Sequence, residues 1–488
     1  NTNHTKALNI KALILIKLGK NDDAAAVLKS VREFDPLDMF SSFLMLNFDG
    51  GDKDLFNKTF GLKSENYLDV AYDLMGGGFY EEAAEVLNIS EMKYPMFDYV
   101  LAFCSGKLGK YNEEMKYLET AQSQDTGYCF PSRIDDIVVL ENAIEKNPGG
   151  DNAYYYLGCL FYDKFAYDRA TKLWEKCIEL NRKHPKAFRN LALSYFDKKR
   201  DFISAKNCME IALKNKPDDP RLILEYQQIL KNMNYSPDYR LSVYDKYNNL
   251  MMQRDDCYLD KITLMCMEGK YKQAIEAAKC RRFHIYEGGE GKLTKLHAWM
   301  YVLYGNELFK NGKFDEAKGA YLDGINMPKS YGEAKTFFNQ EAHIYYYLGC
   351  LLEAENKDAQ NAYETAAVYK AAVSEISLFR ALALRKLYKF SEAKAVLDEM
   401  ENTADNFINN CDMRTYYGVG SPSPMPFELD IKKNNLTDGY ILKAFALLGA
   451  GDYSAADEYI ERARKINGYD FRIYAYDNIK NSVIYGRL

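Results

Sequence analysis

The chain has 488 residues, with 64 Lys and Arg against 70 Asp and Glu, for a formal net charge of −6. Apolar residues make up 47% and charged residues 27%, the composition of a folded globular protein; a collagen-like, disulfide-knotted or wholly disordered chain is excluded. Basic and acidic residues alternate, so no cationic stripe tracks a phosphate backbone and nucleic acid is not an expected partner.

The opening stretch, NTNHTKALNIKALILIKLGK, lacks a Met and a charged-then-apolar leader, and it reads as a helix already in progress. The expectation is that sequence lies upstream of residue 1. No run approaches the roughly 18 consecutive apolar residues of a membrane span, so no membrane partner is expected. Ten cysteines are scattered, and no two lie within three residues of each other. That excludes CxxC and zinc-ligand spacing, and neither a metal nor a cofactor is expected. Cys159 in YYYLGCLFY and Cys350 in YYYLGCLLE sit inside apolar helical patterns, which implies reduced, structural thiols and a cytoplasmic protein.

Along the chain one spacing recurs. Ala12/Ala24, Ala71/Ala83, Gly158/Ala170, Ile262/Ala274, Gly305/Ala317, Ala381/Ala393 and Ala444/Ala456 are each twelve residues apart. An apolar or aromatic run at helical spacing precedes each pair, a polar break such as LGKND, EGKYKQ or NGKFDE separates its members, and a second helical run follows. Each unit therefore predicts a helix, a tight turn and a helix, with small side chains where the two helices cross. Glycine inside a helix costs roughly 1 kcal/mol against alanine, so Gly158, Gly305 and Gly349 need a steric reason, and close helix contact supplies one.

Predicted units begin near residues 5, 64, 94, 151, 185, 255, 298, 342, 374 and 437, with a divergent one at 219–252. Large residues hold fixed offsets, as in Tyr154-x-x-Leu157-Gly158-x-x-Phe161, then Ala170, Trp174, Cys177 and Pro185. The next copy, Leu191-Ala192-x-x-Tyr195…Ala205…Met209…Ala212…Pro217, carries one extra residue in its turn (KKRDF). This resembles the tetratricopeptide repeat, a 34-residue helix–turn–helix. The resemblance implies an all-α chain, a right-handed superhelical α-solenoid of stacked repeats with one continuous core. Five segments are expected: a repeat block at 1–127, a connection at 128–150, a central block at 151–402, an irregular insertion at 403–436 containing SPSPMPF, and a terminal repeat with a capping helix at 437–488. Residues 37–63 also read as irregular.

A second likeness is narrower. RRFHIYEGGEGK at 281–292, PKSYGEAK at 328–335 and NQEAHIYYYLG at 339–349 resemble the helical-repeat half of uncharacterised bacterial proteins whose N-terminal domain is related to the galactose-mutarotase β-sandwiches. Here Ile285-Tyr286 replaces Pro-Trp and Ala334 replaces a Gly. The likeness implies an upstream sandwich and a carbohydrate context.

Function follows from both readings. Tetratricopeptide-like arrays bind through the concave face of their first helices, which places Tyr155, Tyr162, Arg189, Phe196, Trp299, Asn306 and Tyr346 on the lining. The loop at 281–292 gathers Arg281, Arg282, His284, Glu287 and Glu290 on a glycine-rich turn; it serves either as a ligand or partner contact or as a latch in which Arg281 and Arg282 pair with Glu287 or Glu290. Glu287 and Glu290 form the one carboxylate pair that could be nominated for acid/base work. No nucleophile elbow, HExxH or phosphate loop is present. The expected function is a non-catalytic binding scaffold whose groove takes a protein segment or an upstream domain of the same chain. The alternative is an accessory module of a carbohydrate-active protein, with the 281–292 loop contributing to a sugar site.

Overall fold

The computed structural model describes residues 4–48, 53–61, 63–284, 289–333, 341–369, 372–413, 426–428 and 430–485. Among the described residues every regular element is helical. In chain order these are α1 (Thr5–Lys17), α2 (Asn21–Phe34), α3 (Met39–Phe48), α4 (Lys53–Phe60), α5 (Ser64–Gly76), α6 (Tyr80–Ile89), α7 (Pro95–Lys107), α8 (Tyr111–Ser123), α9 (Ile134–Lys146), α10 (Asp151–Asp163), α11 (Tyr167–Leu180) and α12 (Pro185–Ser194). They continue with α13 (Phe202–Asn215), α14 (Pro220–Asn232), α15 (Pro237–Lys246), α16 (Asn248–Met251), α17 (Asp255–Met267), α18 (Tyr271–Cys280), α19 (Lys292–Lys310) and α20 (Phe314–Ile325). The last are α21 (Ala342–Ala354), α22 (Gln360–Val368), α23 (Ser377–Lys386), α24 (Phe390–Asn409), α25 (Ile431–Ala450), α26 (Tyr453–Ile466) and α27 (Phe471–Tyr485). None of them is long and apolar enough to cross a membrane.

The chain divides into two compact units, Asn1–Ser194 and Tyr195–Leu488, a boundary inside the segment expected at 151–402. The first holds the helix pairs α1/α2, α5/α6, α7/α8 and α10/α11, and α12 ends it. The second opens with a π-helical turn, Tyr195–Lys199, and α13, then stacks α14/α15, α17/α18, α19/α20, α21/α22, α23/α24 and α25/α26. Both units are thus all-α arrays of helix–turn–helix repeats.

The turn inside each pair has one construction. A single residue takes a left-handed conformation: Gly19, Gly78, Gly109, Phe165, Asn234, Gly269, Gly312, Asn356, Tyr388 and Gly451, with φ between +55° and +93°. The next residue donates its N–H to the carbonyl five positions back, as in Lys20 to Leu15 and Lys389 to Leu384, both at 2.9 Å. This closes the otherwise orphaned carbonyls of the first helix and reverses the chain. Phe165 and Tyr388 hold a conformation that costs a side-chain-bearing residue about 1–2 kcal/mol; their rings lie on the surface against Tyr167 and Phe390. The extra residue expected in the KKRDF turn is taken up instead as the π-helical turn, where Asp201 N–H reaches back six residues to the Tyr195 carbonyl at 2.9 Å.

All fourteen of the twelve-spaced positions are buried. The glycines do not meet small residues, however. A Cβ on Gly158 would lie 2.4 Å from Trp174 Nε1, one on Gly305 2.3 Å from Tyr321 Cε1, and one on Gly349 2.4 Å from Tyr363 Cε1. Each glycine is a slot in the first helix that receives an aromatic ring from the second. The polar end of each large ring is then satisfied nearby: Trp174 Nε1–H donates to the Tyr155 carbonyl at 3.1 Å, and Tyr321 O–H to Asn306 Oδ1 at 2.7 Å.

The segments read as irregular contain helices. Residues 37–63 carry α3 and α4, and 128–150 carry α9. The start of α9 is fixed by Asp136, whose Oδ2 accepts the Ser132 and Arg133 N–H groups at 2.9 Å and whose Oδ1 accepts from the Tyr72 hydroxyl. At 403–436, α24 runs on to Asn409 and α25 starts at Ile431. Gly439 permits this, since a Cβ there would come within 2.7 Å of Ile408 Cγ1 and 3.0 Å of the Ala404 carbonyl oxygen. The SPSPM part of the proline-containing string lies outside the described residues.

The second unit curls until its end meets its beginning. Tyr474 on α27 shares a hydroxyl–hydroxyl hydrogen bond of 2.6 Å with Tyr271, Ser482 one of 2.9 Å with Tyr347, and Phe471 packs on Trp299. Earlier in the chain, Phe427 packs against Phe196 and the Glu428 N–H donates to Asp197 Oδ1 at 3.0 Å. The inner face of the unit is therefore partly covered by its own C-terminal helix.

Because the Tyr321 ring fills the space a side chain would need, Gly305→Leu is expected to destabilise the chain by about 2 kcal/mol through overpacking. Urea denaturation followed by circular dichroism measures this. An unchanged midpoint would mean that the helices are not held at that distance by the ring.

Candidate functional site

The predicted lining residues separate into core and surface. Tyr155 is buried with its ring 4.7 Å from that of His184; Phe196 is buried between Phe202 and Phe427. Trp299 packs on His343 and Phe379, Asn306 accepts the Tyr321 hydroxyl, and Tyr346 lies among Tyr347, Tyr363 and Phe379. Tyr155, Phe196, Asn306 and Tyr346 thus face neighbouring helices closely enough to be packed as core, and in the second unit the returning α27 adds a further layer; Trp299, though largely buried, keeps an edge on the cavity described below. Two remain on the surface. Tyr162 is half-buried, its ring 4.9 Å from Tyr167 and 5.4 Å from Trp174. Arg189 is half-buried with Nη1 3.3 Å from Asn190 Oδ1, and Asn190 Nδ2 lies 3.5 Å from Cys159 Sγ, so α10 and α12 carry these groups side by side.

Among the described residues, the 281–292 loop is tied down by Asp255. Arg281 Nε pairs with Asp255 Oδ1 at 2.5 Å, its guanidinium lies 4.5 Å over the Tyr258 ring, and Nη1 donates to the Met252 carbonyl at 3.1 Å. The His284 N–H reaches Asp255 Oδ2 at 2.9 Å and its Nδ1 lies 3.1 Å from the same oxygen. Burial works to raise the Asp255 carboxyl, yet the His284 N–H and the Arg281 guanidinium outweigh it and hold the group below the usual carboxylate range. Where a latch from Arg281 and Arg282 to Glu287 or Glu290 is expected, the described residues show Arg281 held by Asp255 at the start of α17. Arg282 and Glu290 are exposed, and Glu287 lies outside the described residues. The PKSYGE string packs on the same loop: Phe283 N–H donates to the Ser330 carbonyl at 2.9 Å, Gly291 N–H to Glu333 Oε1 at 3.1 Å, and Tyr331 O–H lies 3.0 Å from His297 Nδ1. These motifs share a structural joint between α18, α19 and the turn before α21.

Asp151, Cys177 and His184 cluster in the core of the first unit, with one donor atom from each within 4.8 Å of the others. His184 Nδ1 already accepts the Ala187 N–H at 3.1 Å, and the Asp151 carboxylate accepts from Gln122 and Asn181. Burial raises the Cys177 thiol well above its usual range. The cluster's lone pairs are spent on starting α12 and anchoring α10, an internal polar network.

Sequence reasoning missed a cavity of about 600 Å³ in the second unit. Its walls come from α14, α15, α17, α19, the residue Glu375 before α23, and the start of α27. Lys231, Arg240, Arg254, Lys292, Lys295 and Arg472 face Asp256, Asp260, Glu375 and Asp470, with Leu259, Leu296, Trp299 and Phe471 as apolar surface and Gln228, Thr263 and Tyr469 as polar surface. The arginines are engaged. Arg240 reaches Asp260 at 2.5 Å and Gln227 at 3.0 Å, Arg254 forks onto Asp256 at 2.6 and 2.9 Å, and Arg472 bridges Asp438 at 2.6 Å and Asp470 at 2.9 Å. Burial would raise the Asp470 carboxyl, but Arg472 overrides it and holds the group at about 2. Burial and the Lys231 charge lower the Lys292 ammonium. Lys292 was in view as part of the loop motif; Lys231 and Lys295 carried no signal, because nothing local distinguishes a cavity lysine from a solvated one.

No protein-family profile matches the chain. Among solved structures it is similar to YrrB, a TPR protein with an unusual peptide-binding site, at 16% identity over 47% of this chain and 94% of that one, TM-score 0.19. It is also similar to TTC0263, a thermophilic TPR protein in Thermus thermophilus, at 17% identity over 46% of this chain and 98% of that one, TM-score 0.20. A third is Naa15/Naa10 bound to HypK-THB, at 15% identity over 86% of this chain and 66% of that one, TM-score 0.31.

His343, at the centre of the second unit, is fully enclosed by Trp299 and Phe379, and neither ring nitrogen has a hydrogen-bond partner among the described residues. Burial pushes its imidazole down to about 3. An unfolded chain takes up this proton near the ordinary value of 6.5. The folded form resists, so stability falls as pH drops through that value toward 3. His343→Leu is expected to be more stable by about 1 kcal/mol at about pH 7.5, with the difference widening by about pH 5; denaturant titrations at the two pH values check this. A constant difference would place a polar partner against the ring.

Proposed function

We propose that the chain is a non-catalytic binding scaffold and that the unit Asn1–Ser194 holds a protein segment on α10 and α12. The observation that carries the reading is the pairing of Tyr162 and Arg189, half-exposed on successive first helices and joined through the Cys159–Asn190 contact. A tyrosine face supplies contact area at low entropic cost, and an arginine fork supplies directional donors to backbone or side-chain oxygens. Lys186, on the same helix as Arg189, lies 3.1 Å from Thr126 Oγ1 and extends the polar edge of the strip. A first helix from each of two adjacent repeats thus contributes one anchor, the arrangement that stacked helix pairs offer to an extended ligand.

Selection of a displayed random peptide library on the full chain tests this. Recovered peptides are expected to bind with micromolar affinity, and Tyr162→Ala and Arg189→Ala are each expected to weaken them about tenfold, the effect of losing one anchor at an interface. Recovery of no peptide, or of peptides indifferent to both substitutions, would defeat the reading.

A further inference from the structure

The cavity of the second unit is unlike the rest of a chain that carries a net charge of −6. Its lining has six cationic side chains against four anionic ones. The three arginines are each held by a carboxylate of the lining, which engages Asp260, Asp256 and Asp470 and leaves Glu375 as the one further acid against three lysines. Lys231, Lys292 and Lys295 have no ion pair among the described residues, and they come from two different helices, α14 and α19. The Lys231 charge is felt by Lys292 and also by Lys433, whose Nζ lies 3.5 Å from Asn232 Oδ1. Ammonium groups gathered on a concave, partly desolvated wall repel one another and raise a positive potential that an anion relieves.

Size and shape limit which anion. A volume of about 600 Å³ lies within the range of about 300–1,000 Å³ typical of small-molecule sites. Trp299 and Phe471 give one wall an aromatic surface, while Gln228 and Thr263 offer hydrogen bonds between the charged groups. The return of α27 onto α18 and α21, through Tyr271–Tyr474 and Tyr347–Ser482, brings Tyr469, Asp470, Phe471 and Arg472 to one side of the cavity.

We propose that this cavity binds a small polyanion, a molecule bearing two or more phosphate or carboxylate charges, with Lys231, Lys292 and Lys295 as its counterions. The paired arginines keep the wall rigid, so the lysine ammonium groups, free to move on flexible stems, do the contacting. Binding at this site is separate from the protein-segment strip of the other unit and stands or falls independently of it.

Isothermal titration calorimetry of the full chain with inorganic pyrophosphate and, separately, with propane-1,2,3-tricarboxylate tests the proposal and distinguishes the two sources of charge. At least one is expected to bind one-to-one with a dissociation constant below about 1 mM, on the order of the affinity that three screened charge contacts supply. Raising salt from about 50 to about 300 mM is expected to weaken it several-fold. Lys231→Gln and Lys292→Gln should each weaken binding at least about fivefold, Lys292→Arg should retain it, and Lys394→Gln, on an exposed outer helix, should leave it unchanged; matched thermal melts establish that the variants fold. Absence of binding by both anions, or binding indifferent to Lys231 and Lys292, overturns the proposal. So does a Glu-rich decapeptide that binds with the same lysine dependence while neither small anion does, since that would assign the cavity to a protein partner.

Discussion

The interaction on which the structure depends is the seating of an aromatic ring from the second helix of a pair into a slot left by a glycine in the first. Trp174 on Gly158, Tyr321 on Gly305 and Tyr363 on Gly349 repeat it in both units. The slot draws two helices together, and the left-handed residue in the turn between them brings the chain back in register for the contact. Both parts are needed, because a ring of fixed size meets its slot only if the reversal takes a fixed number of residues. The one copy with an additional residue between its helices absorbs it in a π-helical turn and leaves α13 in helical phase.

The same close packing explains where the expected groove failed to appear. First-helix positions such as Tyr155, Asn306 and Tyr346 form an open lining only if nothing else approaches them. Here neighbouring aromatic rings and the returning α27 approach closely, and bulky side chains at those positions become the means of sealing the inner face. What survives as surface is narrow in the first unit and a bounded cavity in the second.

The electrostatics follow from that enclosure. Arginine, planar and always charged, is paired wherever it lines the cavity, since an unmatched guanidinium beside buried leucine and tryptophan would be costly to desolvate. The lysines keep long stems that reach water, so they can line the cavity without a direct ion pair. Their positive potential is a product of distant stretches of chain meeting, not of any local run of basic residues. The tie between Arg281 and Asp255 belongs to the same logic: a loop rich in charge is fixed by an acid at the head of α17, 26 residues earlier in the chain.

By itself the sequence determined the repeated helix pairs and, to within a few residues, where most of them start, because a period of small and aromatic residues is a local property and each helix pair is built from neighbours in the chain. It also marked 281–292 as unusual. Only the tertiary structure decided that the glycines receive rings, that residues 37–63 and 128–150 contain helices, and that α24 and α25 extend toward each other over Gly439. It likewise decided which tyrosines are core and which lysines face one another. The reason is physical: burial and charge depend on what arrives from elsewhere in the chain, and the curl that brings Phe471 to Trp299 is the accumulated result of small rotations at every repeat, none of which is written at any single residue.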